Sequence, residues 1–245
     1  GLTVTGLTLE PLASSASVLS DEEKEAGVVL VDIGGGTTDI AIFQDGIIRH
    51  TAVIPFGGNV ITDDIKEGCT IMKKQAEALK VKFGSALPQE SQNSDIICIP
   101  GFRNRQPKEI SMRNLAHIIH ARMEEIIEHV HYEIVNSGYE RKLIAGLVVT
   151  GGGSQLKHLQ QLFEYVTGMD SRVGYPNEFL ANTNDHTVTS PMYATGVGLV
   201  IKGFEQLEKD SRQGVVRQGP KKAKAGGVIQ QFFTTVTGYL NEDHD

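Results

Sequence analysis

Val28-Val29-Leu30-Val31 is an uninterrupted apolar run, the pattern of a strand buried on both faces, and Gly34-Gly35-Gly36 ends it. A second run, Ile40-Ala41-Ile42-Phe43, is followed by Asp45-Gly46 and then Ile47-Ile48. Asp-Gly between two apolar runs predicts a tight hairpin. A third strand runs to Ile54, closed by Pro55 and Gly57-Gly58. Asn59–Gly68 and Lys73–Phe83 then read as helices, and residues 85–108 are polar and mixed, with a short strand over Asp95–Ile99. Met112, Leu115, Ile119, Met123, Ile126, Val130 and Ile134 recur at spacings of three and four, which predicts a long helix over Met112–Val135 with Ser111 as its N-cap. Leu147-Val148-Val149 predicts another strand, broken by Gly151-Gly152-Gly153. A helix over Gln155–Val166 follows and stops at Gly168, and Pro191–Ile201 predicts a further buried helix. Gly1–Leu9 reads as a strand from the middle of a domain.

Past the last helix the pattern changes. Arg212–Lys224 carries five basic residues and no acidic one, with Gly214, Gly219 and Pro220, which is linker composition. Val228–Leu240 has no charged residue, and Val228, Ile229, Phe232, Phe233, Val236, Tyr239 and Leu240 fall on one face if it is helical. A basic linker before an apolar face suits an anionic lipid surface. The net charge of -7 argues against nucleic acid as a partner, because neutralising phosphates needs a basic surface. The two cysteines, Cys69 and Cys98, have no paired spacing, which predicts a reduced, cytoplasmic setting. No apolar run reaches the ~18 residues of a membrane span. The opening Gly1, in place of Met, predicts a piece of a longer protein. His117, His120, His129 and His131 crowd the long helix, but only the first two have ligand-like spacing and no cysteine joins them, so a solvated face is expected.

The candidate chemistry lies in two glycine turns. Asp32-Ile33-Gly34-Gly35-Gly36-Thr37-Thr38-Asp39 lets the backbone approach an anion with its N–H groups turned inward. Thr37 and Thr38 add hydroxyl donors, and Asp32, at the end of a buried strand, is placed to hold a hydrated magnesium ion. No Gly-Lys-Ser/Thr follows, so this is not a P-loop, and a strand follows the turn where a dinucleotide fingerprint has a helix. Thr150-Gly151-Gly152-Gly153-Ser154 opens a helix, whose first N–H groups are unpaired and carry partial positive charge.

Asp32–Asp39 resembles the second phosphate motif of the actin-like ATPase superfamily, and Thr150–Ser154 is similar to its adenosine motif. Leu9-Glu10-Pro11-Leu12-Ala13-Ser14-Ser15, Ile54-Pro55-Phe56-Gly57-Gly58 and Asp63-Asp64-Ile65 resemble the segments around that phosphate motif. Ala76–Gly84, Ile118–Glu125 and Pro191–Leu199 resemble the bacterial cell-division FtsA family in particular, and the likeness covers residues 7–203. It implies an α/β, actin-like (ribonuclease H-like) lobe with a mixed five-stranded sheet flanked by helices and an inserted α+β subdomain. The implied divisions are the end of a preceding lobe with a connecting helix (1–26), an inner nucleotide-binding subdomain (27–58 and 140–203), an outer insertion (59–139), a basic linker (204–227) and an amphipathic segment (228–240). Gly34, Gly35, Gly36, Thr37 and Thr38 would bind the β- and γ-phosphates of ATP, and Asp32 would contact magnesium through water. Glu77 and Lys80 would bracket the ribose and adenine, and Gly151, Gly152, Gly153 and Ser154 would back the adenosine.

The resemblance further implies self-association into filaments, capture of the FtsZ C-terminal peptide on Arg103, Arg105, Lys108 and Arg113, and peripheral attachment to the inner face of the cell membrane at the division site. The superfamily's first phosphate motif, near the other lobe's start, is absent here, so weak ATP binding and at most weak hydrolysis are expected. Pilus-assembly, shape-determining, chaperone and sugar-kinase relatives share the superfamily motifs and are the alternatives.

Overall fold

The computed structural model describes residues 4, 6–91, 95–101, 106–177, 180 and 187–212. The chain divides into one unit of Thr8–Phe204 and a second that combines Gly1–Leu7 with Glu205–Asp245. In the second, Gln206 donates to Asp210 at 2.7 Å, one turn along a helix.

Thr8–Phe204 is built on a five-stranded sheet. Its strands are β1 (Val28–Ile33), β2 (Thr38–Gln44), β3 (Ile47–Ile54), β6 (Leu147–Thr150) and β7 (Ser171–Val173), in the spatial order β3-β2-β1-β6-β7. β1–β2 and β2–β3 are antiparallel, while β1–β6 and β6–β7 are parallel, so the sheet is mixed as expected. Asp45 (φ 56°) and Gly46 (φ 69°) are both left-handed, the backbone that a two-residue hairpin needs to match strand twist.

All six residues of β1 are buried, because helices cover both faces of the sheet. On one face Val29, Val31, Ile33, Ile40 and Ile42 pack with α3 (Gly58–Gly68), α5 (Met112–Asn136) and α6 (Leu159–Thr167) through Ile65, Ile119, Met123, Ile126 and Phe163. On the other face Val28, Leu30, Ala41, Phe43 and Val148 pack with Val18 and Leu19 at the end of α1 (Glu10–Val18) and with Ala194. Strand alternation sends β1's odd residues to the first face and its even ones to the second.

Residues 59–139 hold most of α3, then α4 (Lys73–Phe83), the hairpin of β4 (Ile96–Ile99) and β5 (Lys108–Ser111), and α5. Arg122 on α5 grips Asp64 on α3 with two hydrogen bonds, at 2.6 and 3.0 Å.

Several expectations need correction. Val4 and Gly6–Leu9 form no strand. The connection before β1 holds two helices, α1 and α2 (Asp21–Ala26), and Ser20 opens the second with a capping box to Glu23. The helix expected from Gln155 begins at Leu159, because 152–155 is a 3₁₀ turn and His158 takes φ 60°. Pro191–Tyr193 is likewise 3₁₀, and α7 runs from Ala194 to Arg212 with Leu199, Val200 and Phe204 exposed, so this helix is not buried all round. Ser111 is the N-cap of α5, as expected, yet its side chain caps nothing. On α5, His117 and His129 are exposed, but His120 is half-buried and bonds the Ala86 carbonyl through Nδ1 at 2.7 Å. The amphipathic segment 228–240, most of the basic linker, Arg103 and Arg105 lie outside the described residues.

Candidate functional site

The two glycine turns meet at the ends of β1 and β6. Strand pairing sets Asp32 opposite Asp39 across β1–β2 and opposite Thr150 across β1–β6. Gly151 carries φ 82°, and a Cβ there would lie 2.3 Å from Asp32 Oδ1 and 2.6 Å from the Ile33 carbonyl oxygen. A Cβ on Gly153 would strike Ile33 Cγ2 at 2.4 Å. Two of the three glycines in the second turn are therefore demanded by packing on the first strand. Gly152 is exposed, and Ser154 is buried with its hydroxyl donated to the Gly151 carbonyl at 2.8 Å.

The first turn is held from behind. Gly34 N–H donates to Thr37 O at 2.9 Å, closing the turn on itself. The N-terminus of α3 then clamps it: Gly58 N–H donates to Gly34 O (2.9 Å) and Asn59 N–H to Gly35 O (2.8 Å). These helix-start donors have no partner within α3, so the turn's carbonyls satisfy them. With its carbonyls turned back, the turn leaves Gly35, Gly36 and Thr37 exposed at its outer side. A Cβ at Gly36 would meet nothing within 4 Å. Thr38 is fully buried and donates its hydroxyl to Phe56 O at 2.9 Å, so that hydroxyl points into the fold.

Asp32 is 5 % exposed, and its Oδ2 accepts from Ser14 on α1 (2.7 Å) and Thr195 on α7 (3.4 Å). Burial pushes its pKa up, the Ser14 hydrogen bond opposes this, and the neighbouring Asp39 charge adds to the rise. Glu10 is raised too, by burial and then by Asp39 and Asp32. Asp32 and Asp39 are buried and Glu10 is exposed beside them, and carboxylates that crowd their negative charge in this way suit a cation. Among the described residues no three Asp, Glu, His or Cys side chains converge closely enough to hold a metal ion directly. Ser14 and Thr195 both bond Asp32, yet the sequence singles out neither. The signal available was only two hydroxyls far apart in the chain.

Glu77 and Lys80 sit one turn apart on α4. The Lys80 ammonium contacts Gly58 O, Thr62 Oγ1 and Glu77 Oε2, each at 2.8 Å. Thr62 Oγ1 is bonded to Glu77 Oε2 as well. Burial pushes the Glu77 pKa up, but hydrogen bonds from Lys80 and Thr62 outweigh it and the net direction is down. α4 ends at Gly84, where a Cβ would lie 2.7 Å from Leu156 Cδ1, just past the second turn. The structure thus brings Asp32, both glycine turns and the Glu77–Lys80 pair into one continuous neighbourhood.

The family model for cell division protein FtsA matches residues 29–198. The chain is 42 % identical over 206 residues to the cell division protein FtsA of Pseudomonas aeruginosa, covering 84 % of this chain and 49 % of that protein. It is 38 % identical over 212 residues to that of Escherichia coli, covering 84 % and 50 %. With that of Bacillus subtilis it shares 38 % over 200 residues, covering 82 % and 44 %. The chain spans about half the length of these curated relatives. Among solved structures, MreB5 of Spiroplasma citri bound to AMPPNP superposes with a TM-score of 0.66 at 23 % identity, over 84 % of this chain and 60 % of that one. A PilM–PilN type IV pilus biogenesis complex gives 0.61 at 18 %, over 81 % and 53 %. These two likenesses establish the actin-like fold. The sequence matches go further: the chain belongs to the FtsA family of cell division proteins.

Proposed function

We propose that this chain is the part of a division protein that holds ATP between its two glycine turns, and that ATP acts as a switch for assembly at the division septum. The observation that carries this reading is the clamped first turn. Its carbonyls are tied to the start of α3, and Gly36 opens onto free space. The outer side of Gly34, Gly35, Gly36 and Thr37 would take the β- and γ-phosphates, with Thr38 contributing through its backbone. Asp32 would hold a water of the magnesium ion, which would neutralise phosphate charge. Gly152, at the exposed point of the second turn, would lie against the adenosine. MreB5 of Spiroplasma citri, of the same fold, has been solved bound to ADP and to AMPPNP. Spanning about half the length of its curated relatives, this chain alone would bind ATP weakly and hydrolyse it poorly. Residues 27–58 and 140–203 would form the nucleotide-binding part and 59–139 the outer part.

In the assembled protein, copies would associate into filaments and tether FtsZ to the cytoplasmic face of the membrane. The FtsZ C-terminal peptide would dock on the basic strip that includes Lys108 and Arg113. Lipid would be engaged through Val228, Ile229, Phe232, Phe233, Val236, Tyr239 and Leu240. Among the described residues no helix is long and apolar enough to cross a membrane. Co-sedimentation with anionic liposomes and an FtsZ C-terminal peptide tests this, comparing the chain with a version ending at Lys224. The longer chain should pellet and carry the peptide, and the shorter one should stay in solution yet still bind it. A folded chain that binds neither lipid nor peptide would sink the tether.

A further inference from the structure

The segments 84–86 and 156–158 pair where α4 ends and the chain leaves the second glycine turn. Ser85 and Lys157 form a parallel bridge, and Ala86 N–H donates to Lys157 O at 2.8 Å. Gly84, the C-cap of α4, makes room for Leu156, since a Cβ there would lie 2.7 Å from Leu156 Cδ1. Ser85 is 4 % exposed, and its Oγ lies 2.9 Å from His158 Nδ1, 3.1 Å from Leu87 O and 3.2 Å from Leu87 N. The single hydroxyl proton goes to Leu87 O, and the two lone pairs accept from Leu87 N–H and from His158 Nδ1–H, which satisfies all three contacts at once. His158 takes φ 60°, a left-handed backbone that a residue other than glycine keeps only where its surroundings hold it. From the other side, His120 on α5 donates Nδ1–H to Ala86 O at 2.7 Å. The fully buried Ala86 is thus tied through its N–H to the exit of the second turn and through its carbonyl to α5.

We infer that Ser85 and His158 are positioning residues for the nucleoside. They clasp the end of α4 to the exit of the second turn, and so set the gap between α4 and the exposed Gly152 in which adenosine would lie. Neither side chain touches the ligand in this role. The first glycine turn is tied elsewhere, to the start of α3, so the clasp acts on the nucleoside and leaves the phosphates alone. The inference rests on the nucleotide reading of the two turns, but the clasp itself is a property of the ligand-free chain.

The test uses Ser85→Ala and His158→Gly in the intact chain, with His158→Asn as the control. Asparagine tolerates a left-handed backbone and can offer an N–H where the imidazole Nδ1–H stood. Amide exchange at Ala86 is followed without ligand, and the affinities of adenosine and Mg-pyrophosphate are measured in parallel. In Ser85→Ala and His158→Gly the circular dichroism should match the parent's, and exchange at Ala86 should quicken about fivefold, within the range of one lost hydrogen bond. Adenosine affinity should fall by a similar factor, while Mg-pyrophosphate affinity stays within about twofold of the parent, the scatter of independent sites. His158→Asn should behave as the parent does. Should one variant fail to fold, the other decides. Unchanged exchange at Ala86 would overturn the clasp. Quickened exchange with adenosine affinity intact would overturn its positioning role, as would equal losses of adenosine and pyrophosphate. A parent chain that binds neither probe would refute the nucleotide reading and the positioning role with it, and exchange at Ala86 would still decide the clasp.

Discussion

A Cβ at Gly57 would lie 2.5 Å from Gly34 O and 2.8 Å from Thr37 O, whereas one at Gly36 would touch nothing. The glycines around the first turn thus divide into those the fold needs and those the proposed ligand needs. Gly36→Ala should keep stability within about 0.5 kcal/mol, as substitutions on open surface do. Its methyl would enter the space assigned to phosphate, so ATP binding should be lost from a normally folded protein. Gly57→Ala should instead lower the melting temperature before any ligand is added, because neither blocking atom is the end of a movable side chain. Thermal unfolding and ATP titration of both variants check the division, and a Gly36→Ala chain that binds ATP as the parent does would count against the phosphate assignment. Asp32 stands out in the sequence as a candidate site residue because an acid ending an apolar strand is conspicuous. Ser14 and Thr195 do not, since a buried hydroxyl carries no local pattern and their meeting depends on the packing of α1 and α7.

α1 and α7 approach so closely that a Cβ on Gly198 would lie 1.8 Å from the Ala13 carbonyl oxygen. Gly198→Ala must push the two helices apart, at a cost of about 1–3 kcal/mol and a melting temperature lower by roughly 5 °C. Differential scanning calorimetry would register it. α2 is held on the β7 edge by Arg172, which grips both Glu23 oxygens at 2.7 Å. Burial pushes the Glu23 pKa up, yet the Arg172 hydrogen bonds and the Ser20 backbone bring the net direction down. A depressed folded pKa adds stability above the unfolded value, and that stability is lost as the pH falls through the folded one. Glu23→Gln should therefore be less stable than the parent at neutral pH, with the gap closing on acidification; a gap independent of pH would contradict this. Long elements were readable from the chain: β1 by its unbroken apolar run, α5 by its spacing, the β2–β3 turn by Asp45-Gly46. β5 and β7 escaped because four and three residues carry too little periodicity, and each depends on a partner strand. The late start of α6 turns on His158 at φ 60°, a backbone state that nothing in the residue types demands.

At the scale of the whole molecule, the fold joins two turns that are more than a hundred residues apart in the chain. β1 and β6 pair in parallel, so their glycine turns emerge on the same end of the sheet. That parallel pairing was predictable only through the family resemblance, because neither strand's own sequence specifies its neighbour. On the proposed reading the arrangement would form one side of a nucleotide cleft, in a chain that spans about half the length of its FtsA relatives. Binding by this side alone is expected to be weak, so the decisive measurement must register weak contacts and say where they fall. An amide chemical-shift titration of the isotope-labelled chain with Mg-ATP does both. The account predicts saturable shifts concentrated at Gly34–Thr37 and Gly151–Ser154, with α2 and α6 silent. Shifts that never appear at saturating ATP, or that map away from both glycine turns, would contradict it.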